Sequence, residues 1–355
     1  MTITTPAGTL VRTRTAAVAL GAGAVLALTA CGGDASASGP GTDAGSGTAA
    51  ATGTAAAATA AAAAQPATNF DGFEDAVVTT DWLEENLDNP DVAVVEVSVE
   101  PGVYERSHIP GAVNLSWHTD LVDTVNRDII DQEAFQDIAR KAGINDDTTV
   151  VLYGDRNNWF SAWGAWIFEI YGAQDIRLLD GGRVAWEAEN RPVEPGAPTP
   201  QPGDFTASEP DTALRALLPD VLEIATGEAD KPLVDIRSAD EYNGVIFAPE
   251  GFQELAVRAG HIPGAVNVPW GAAVAEDGRF RSIEELRALY ADVGVDGTKP
   301  VVVYCRIGER ASHTWFVLHR LLGYDVALYD GSWTEYGNAV GVPIENPAGT
   351  VFGGA

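Results

Sequence analysis

The chain has 355 residues, and 46% of them are hydrophobic, which is enough apolar sequence for more than one ordinary domain. Its 51 aspartates and glutamates outnumber 21 lysines and arginines, giving a formal net charge of -30 at pH 7. Binding to phosphates requires a basic face, so this charge argues against nucleic acid as a partner. It argues equally against adsorption to an anionic lipid surface.

The first thirty residues have the pattern of an export signal. Residues 1–14 carry Arg12 and Arg14 but no acid, and residues 15–30 are almost wholly apolar. The apolar run is shorter than the roughly 20 residues of a membrane-spanning helix. It ends in Leu-Thr-Ala followed by Cys31, which resembles the lipobox of bacterial lipoproteins. We therefore expect a signal peptide at 1–30, lipidation of Cys31, and export to the outer face of the bacterial cell membrane. A plain secretory signal is the alternative.

Residues 31–69 are rich in Ala, Gly, Ser and Thr and contain one long alanine run. A segment without apolar periodicity buries too little surface to offset the entropy lost on ordering. We predict a disordered tether between the lipid anchor and the folded part.

The remainder of the chain repeats itself. "SHIPGAVNLSW" at 107–117 returns as "GHIPGAVNVPW" at 260–270, and "LLDGGRVAW" at 178–186 returns as "LYDGSWTEY" at 328–336. Between them, the run from 150 to 168 matches the run from 301 to 318. Three matches in one order, each about 150 residues apart, indicate a duplicated domain. We place the copies at 70–192 and 211–355, joined by a proline-rich linker at 193–210.

Each copy has an α/β pattern. Short apolar runs such as "VAVVEV", "VVLY", "PLVDI", "VVVY" and "VALY" are typical of buried parallel strands. Residues 131–143 and 282–294 have helical spacing, the second with a serine cap. Alternating strands and helices predict a parallel sheet flanked by helices in each copy, with the ligand site at the carboxyl ends of the strands.

Cys305 stands at such an end, immediately after "VVVY" and before Arg306, Gly308 and Arg310. The thiolate is the reactive form of cysteine, and lowering the thiol pKa by about two units needs roughly 2.7 kcal/mol. A helix N-terminus, two arginines and a glycine whose backbone can form an anion-holding nest could supply that preference. We expect an ionised, accessible thiol beside a site for an anionic substrate.

The duplication together with "HIPGA", "VDIRS", "YCRIGER" and "YDGSW" resembles the two-domain rhodaneses, the thiosulfate and 3-mercaptopyruvate sulfurtransferases, over about residues 75 to 350. The resemblance implies two tandem rhodanese-like domains of which the C-terminal one is catalytic. Its cysteine, here Cys305, takes a sulfane sulfur as a persulfide and passes it to cyanide or a thiol, without a further cofactor. Gly154 and Asp155 replace the cysteine in the N-terminal copy, which we expect to be inactive. We expect a monomer that acts on small molecules.

The resemblance also implies which residues bind the substrate. These are the rest of the loop, an arginine of "VDIRS" and a wall formed by "DGSW", namely Arg306, Ile307, Gly308, Glu309, Arg310, Arg237, Ser332 and Trp333. Arg306 favours thiosulfate, whose two charges need more than one cation, over 3-mercaptopyruvate. Arg237, Arg306 and Arg310 together are expected to form a positive cluster.

Several of these positions leave alternatives open. Ile307 stands where the best-known thiosulfate enzymes have lysine, and Glu309 is unfavourable to an anion unless its side chain points away. Glu241 occupies the place of a second substrate arginine. Arg237 could instead pair with Asp235 or Asp240, and Trp333 could simply pack in the core.

Two other classes of function remain. Cysteine phosphatases and arsenate reductases use a similar turn but require Cys-x5-Arg, whereas Cys305 and Arg310 are in a Cys-x4-Arg arrangement. A non-catalytic, surface-tethered binding module is the second class. The five histidines and two cysteines show no metal-ligand spacing. His313 is expected to pack rather than act as a base, and His108 and His261 to be structural.

Overall fold

The computed structural model describes residues 73, 75–253 and 255–353. The expected signal peptide, Cys31 and the expected tether lie outside the described residues. Within the described part, no helix combines the length and the hydropathy needed to cross a membrane.

The N-terminal copy is built on a five-stranded parallel sheet. The sheet contains β1 (Val77–Val78), β2 (Val92–Glu96), β3 (Val113–Asn114), β6 (Thr149–Tyr153) and β7 (Ile176–Leu179). A separate short antiparallel pair is formed by β4 (Val122–Asp123) and β5 (Asp128–Ile129). The order in the sheet is β1-β7-β6-β2-β3. The two apolar runs predicted as strands here, "VAVVEV" and "VVLY", form the adjacent β2 and β6.

The C-terminal copy has a four-stranded parallel sheet with the order β11-β10-β8-β9. The strands are β8 (Leu233–Asp235), β9 (Ala265–Asn267), β10 (Val301–Tyr304) and β11 (Val326–Leu328). Arg215 adds a single parallel bridge to Leu328, at the position that β1 occupies beside β7. The two sheets therefore share one topology, as the sequence repeat predicts.

Within the described residues, ten α-helices flank the two sheets. They are α1 (Thr80–Glu85), α2 (Val103–Arg106), α3 (Gln132–Lys141), α4 (Trp159–Ile170), α5 (Gly182–Ala188), α6 (Leu218–Ala225), α7 (Ala239–Tyr242), α8 (Ile283–Ala291), α9 (Glu309–Phe316) and α10 (Ser332–Tyr336). The helices predicted at 131–143 and 282–294 are α3 and α8. At α8 the predicted cap is present, because Ser282 Oγ accepts from the Glu285 amide at 3.3 Å and Glu285 accepts from Ser282 in return.

The repeated "HIPGA" turn has the same packing in both copies. His108 stacks on Tyr104 with ring centroids 4.2 Å apart, and His261 stacks on Tyr242 at 3.6 Å. In each case Nδ1 of the histidine contacts the carbonyl oxygen of the same tyrosine, at 2.9 and 2.7 Å. Both histidines are buried. The prediction that they are structural agrees with this geometry.

The two copies pack against each other through α4 and α9. The largest buried apolar cluster includes residues of both copies, so they share one hydrophobic core. Polar contacts also join them: Ser312 Oγ donates to the Trp159 carbonyl at 2.9 Å, and the Asp180 carboxylate accepts from the Phe280 amide at 3.0 Å. The N-terminal copy is therefore part of the environment of α9, which begins beside Cys305.

Two glycines of the C-terminal "GHIPGA" turn provide a test of this framework. Gly260 has φ +108°, and a Cβ there would overlap the carbonyl oxygen of Glu345, whereas Gly264 has φ +80° with no atom within 4 Å of a Cβ. The left-handed backbone costs about 1–2 kcal/mol in both alanine variants. Overpacking adds about 1–3 kcal/mol in Gly260→Ala alone. Urea unfolding is expected to show Gly260→Ala to be the less stable variant. Equal midpoints would contradict the packing described for this turn.

Candidate active site

The loop after β10 wraps around the sulfur of Cys305. The Gly308 amide donates to Sγ at 3.1 Å, and α9 begins at the next residue. Gly308 has φ +105°, and a Cβ at this position would lie 2.5 Å from the Trp163 ring and 3.0 Å from the Asp330 carbonyl oxygen. Only glycine fits both the backbone conformation and the space. The expected strand-loop-helix arrangement around the cysteine is present.

The state of the thiol differs from the expectation. Cys305 is fully buried, and burial raises the pKa of its thiol to about 11, with the Glu309 carboxylate raising it further. Arg310 and the amides of Ala311 and Gly308 act in the opposite direction but do not outweigh these two causes. The prediction of an ionised, accessible thiol is therefore wrong for this conformation. The loop excludes water from the sulfur, and the loss of hydration destabilises the thiolate more than the backbone amides stabilise it. Any reaction at Cys305 must first remove its proton.

Ser332 and Trp333 support the backbone of the loop. Ser332 Oγ accepts from the Cys305 amide at 3.1 Å and donates to the Tyr329 carbonyl at 2.8 Å, while the Trp333 amide donates to the Cys305 carbonyl at 3.0 Å. Both side chains are buried, and neither lines the cavity beside the loop. They hold the cysteine in place, and neither forms the predicted wall against substrate in this conformation.

Arg237 is only 1% exposed and forms an ion pair with Asp235 at 2.6 Å. Its guanidinium also donates to the Gly260 carbonyl at 2.7 Å and lies 4.7 Å from the centre of the Trp333 ring. The structure thus shows the alternative considered from the sequence, an ion pair that braces the end of β8. Arg237 does not line the cavity beside the loop.

The positive charge of Arg310 is also balanced by a carboxylate. Its two terminal nitrogens donate to the Glu241 carboxylate at 3.1 and 3.0 Å, and both side chains are buried. Burial by itself lowers the pKa of Arg310, but the hydrogen bonds and charge of Glu241 reverse this effect and raise it. The expected positive cluster of three arginines is therefore wrong, because carboxylates balance Arg237 and Arg310.

Arg306 is the loop cation whose partner is neutral. Its Nη1 donates to the Gln253 carbonyl at 2.8 Å, and its guanidinium lies 5.3 Å from the centre of the Phe252 ring. It lines a cavity of about 360 Å³ that Glu309 and Arg310 also line. The remaining walls come from both copies and are Trp159, Ser238, Glu241, Pro249, Phe252, Pro269, Trp270 and Gly271.

Ile307 faces a different space. It lines a cavity of about 300 Å³ together with Trp163 and Trp117 of the N-terminal copy and Asp330. A charged side chain at position 307 would therefore not extend the polar wall that Arg306 and Arg310 form. Ile307, which was expected to bind substrate, therefore does not line the cavity that Arg306 lines.

Glu309 contacts the sulfur. Its Oε2 lies 3.6 Å from Cys305 Sγ, and its other oxygen is 3.9 Å from Arg310 Nε. Burial raises the pKa of this carboxyl group, although Arg310 and Arg306 oppose the shift. The Glu309 side chain does not point away from the site; it lines the cavity and contacts the thiol, an arrangement that the sequence predicts to be unfavourable to an anion.

The corresponding loop of the N-terminal copy has no room for a cysteine. A Cβ at Gly154 would overlap the Val97 carbonyl oxygen and lie 2.7 Å from Ser161 Oγ. The next residue, Asp155, accepts from the Glu100 amide at 2.8 Å and from the Val99 amide at 3.1 Å. Asp155 thus binds the backbone of the segment that follows β2, which agrees with a structural role for this loop.

His313 is packed between the rings of Phe280 and Trp270, and burial lowers its pKa to about 3. It is neutral at pH 7 and serves packing, as predicted. Among the described residues, no cluster of three or more His, Cys, Asp or Glu side chains could hold a metal ion.

Sequence reasoning missed the contribution of the N-terminal copy. Trp159 lines the cavity beside the loop, and Trp163 covers Gly308 from the other side. Both belong to α4, whose nearly continuous apolar sequence indicates burial but not which neighbour it meets. Phe252 was also missed, because it lies in an irregular segment after α7.

Comparisons with known proteins agree with this architecture. The rhodanese-like domain profile matches the chain twice, at residues 79–189 and 219–339. A protein of Mycolicibacterium smegmatis named "Putative thiosulfate sulfurtransferase" is 51% identical over 273 residues, covering 76% of this chain and 98% of that protein. The sulfur carrier protein TtuD of Thermus thermophilus is 50% identical over 274 residues, covering 76% and 96%.

A solved structure of similar fold is the 3-mercaptopyruvate sulfurtransferase SseA of Escherichia coli. It is 28% identical, has a TM-score of 0.60, and covers 72% of this chain and 98% of that one. With two matched domains, one shared topology and a cysteine at the end of the central strand of the second copy, this chain belongs to the rhodanese family.

Proposed function

We propose that the protein is a thiosulfate sulfurtransferase that carries a sulfane sulfur on Cys305. The observation that carries the proposal is the loop itself: the Gly308 amide lies 3.1 Å from the sulfur, and Arg306 and Glu309 line the adjacent cavity. The names of relatives at about 50% identity support sulfur transfer as the reaction class. The proposal needs no cofactor beyond the persulfide, and we expect a monomer.

The cation at position 306 is the reason for choosing thiosulfate as the donor. Arg306 is not in an ion pair with another described residue and lines the cavity, so its charge can meet an incoming dianion. Donation from the guanidinium to the sulfonate oxygens would place the sulfane sulfur toward the loop. The name of SseA makes 3-mercaptopyruvate the second candidate donor.

The first test compares donors in the wild type and in Cys305→Ser. Thiosulfate with cyanide is expected to give thiocyanate at a higher kcat/KM than 3-mercaptopyruvate, and the serine variant is expected to give none with either donor. Mass spectrometry should find one added sulfur on the peptide that contains residue 305 of the wild type. Turnover without this adduct, or in the serine variant, would refute the role of Cys305.

A phosphate ester assayed in parallel tests the phosphatase alternative. A protein that forms no adduct with any sulfur donor would instead be a non-catalytic binding module.

The second test separates two arginines. Arg306→Ala removes a charge-assisted hydrogen bond worth about 1.5–3 kcal/mol, so the KM for thiosulfate should rise about tenfold or more. Arg237→Ala leaves the buried Asp235 carboxylate without its ion-pair partner and should lower the free energy of unfolding by about 3–5 kcal/mol. Lys299→Ala, which breaks an exposed pair with Asp230, is the control for an ion pair of small effect. Steady-state kinetics and urea unfolding measure the two quantities. An unchanged KM in Arg306→Ala would count against thiosulfate contact at this residue.

We also propose that Cys31 carries the lipid that anchors the protein to the outer face of the bacterial membrane. The support is the Leu-Thr-Ala-Cys pattern after an apolar run. Radiolabelled palmitate is expected to label the wild type in the membrane fraction and to leave Cys31→Ala unlabelled. Equal labelling of the two proteins would contradict this assignment.

A further inference from the structure

We propose that Glu309 is the base that accepts the proton of the Cys305 thiol before sulfur is transferred. The inference rests on the proposed function in that it assigns the proton step of the same site. Neither the loop motif nor the burial of the cysteine indicates this role. It follows from where the carboxylate lies.

The geometry brings one acid and one thiol together out of water. Glu309 Oε2 is 3.6 Å from Sγ, within the range of a hydrogen bond to sulfur, and both residues are less than 5% exposed. Glu309 is the first residue of α9 and Cys305 lies four residues before it, so the loop fixes their separation. On the other side of Sγ, the Gly308 amide donates at 3.1 Å. One contact can therefore remove the proton while the other holds the charge that remains.

The surrounding charges leave the Glu309 carboxylate available to accept that proton. Arg310 turns its two terminal nitrogens to Glu241, and only its Nε approaches Glu309, at 3.9 Å. Arg306 acts on Glu309 through space from the cavity wall. From the N-terminal copy the cavity receives the neutral ring of Trp159. A carboxylate without a close ion pair is a better base than one held by a bidentate arginine, as Glu241 is.

The proposed step balances in protons and electrons. The proton moves from Sγ to Oε2, giving a thiolate and a neutral carboxyl group. The thiolate attacks the sulfane sulfur of thiosulfate; the new S–S bond forms as the S–S bond of thiosulfate breaks, and sulfite leaves with the electron pair. The anionic persulfide then gives its outer sulfur to an acceptor nucleophile such as cyanide, and the regenerated thiolate takes the proton back from Glu309.

Moving the proton to Glu309 also reduces the electrostatic repulsion between this carboxyl group and the incoming thiosulfate dianion. The Cys305 and Glu309 pair carries one negative charge before and after the transfer, but afterwards the charge lies on sulfur beside the Gly308 amide. The carboxyl group on the cavity wall is then neutral when the dianion arrives. The same residue therefore prepares the nucleophile and removes a like charge from the path of the substrate.

A purely electrostatic role for Glu309 makes the opposite prediction for one variant. If the carboxylate only disfavours the thiolate, Glu309→Gln should make Cys305 more reactive at pH 7. If the carboxylate is the base, the variant should be slower, since general base catalysis contributes about 10²–10⁴-fold. The two readings differ in the sign of a single measured change.

The experiment follows alkylation of Cys305 by iodoacetamide and sulfite release in a single turnover with thiosulfate, from pH 5 to 10. The alkylated peptide is quantified by mass spectrometry, which distinguishes Cys305 from Cys31 in the full chain. The variants are Glu309→Gln, Glu309→Asp as the conservative replacement that keeps a carboxylate, and Glu223→Gln as an exposed control on α6.

In the wild type both rates should be flat at neutral pH and fall only as acid protonates Glu309. In Glu309→Gln both rates should drop about 10²-fold at pH 7 and rise tenfold per pH unit toward the pKa of the thiol. In Glu309→Asp both rates should be lower than in the wild type, but their pH profiles should stay flat. This variant provides the test if Glu309→Gln does not fold. The control should match the wild type. Faster alkylation of Glu309→Gln, or an unchanged pH profile, would overturn the inference.

Because alkylation does not require thiosulfate, it tests the role of Glu309 independently of the proposed sulfur donor. A protein that alkylates with the predicted pH profile but releases no sulfite from thiosulfate would support Glu309 as the base and reject the donor. Sulfite release that is equal in the wild type and in Glu309→Gln would support the donor and reject the base.

Discussion

The candidate site depends on the hydrogen bond between the Gly308 amide and the sulfur of Cys305. This contact requires a left-handed backbone at Gly308, and the Trp163 ring and the Asp330 carbonyl leave no space there for a side chain. Once the loop is closed in this way, the thiol is shielded from water and α9 begins with Glu309 against the sulfur. The burial that makes the thiol hard to ionise is thus produced by the same geometry that supplies a neighbouring carboxylate.

The N-terminal copy contributes packing to a site in which it has no nucleophile. Its α4 provides Trp163 over the loop and Trp159 on the cavity wall, and it shares the hydrophobic core with α9. Its own loop is filled at Gly154, where a side chain would meet the Val97 carbonyl. The N-terminal copy therefore acts as a fixed support for the loop, because α4 and α9 pack against each other.

The charges of the site are balanced locally, in contrast to the strongly acidic chain around it. Arg237 pairs with Asp235 and Arg310 pairs with Glu241, whereas Arg306, which is also buried, has no carboxylate partner among the described residues. Such pairs satisfy the desolvation requirement of buried charges and hold the strand and helix ends that they join. Arg306 lines the cavity without a carboxylate partner in the described part of the chain, which is why it is the residue proposed to meet an anionic donor.

The sequence by itself determined the duplication, the buried central strands, the helices α3 and α8 with the cap of α8, the position of Cys305 between β10 and α9, and the absence of a cysteine from the first loop. These features are local, and apolar periodicity, capping residues and repeated motifs record them directly. Only the tertiary structure decided the burial of the thiol, the pairing of Arg237 and Arg310, the side on which Ile307 lies, and the contact between Glu309 and the sulfur. These depend on which side chains from distant segments share a small volume, and the pKa of a buried group changes with such neighbours and with its distance from water.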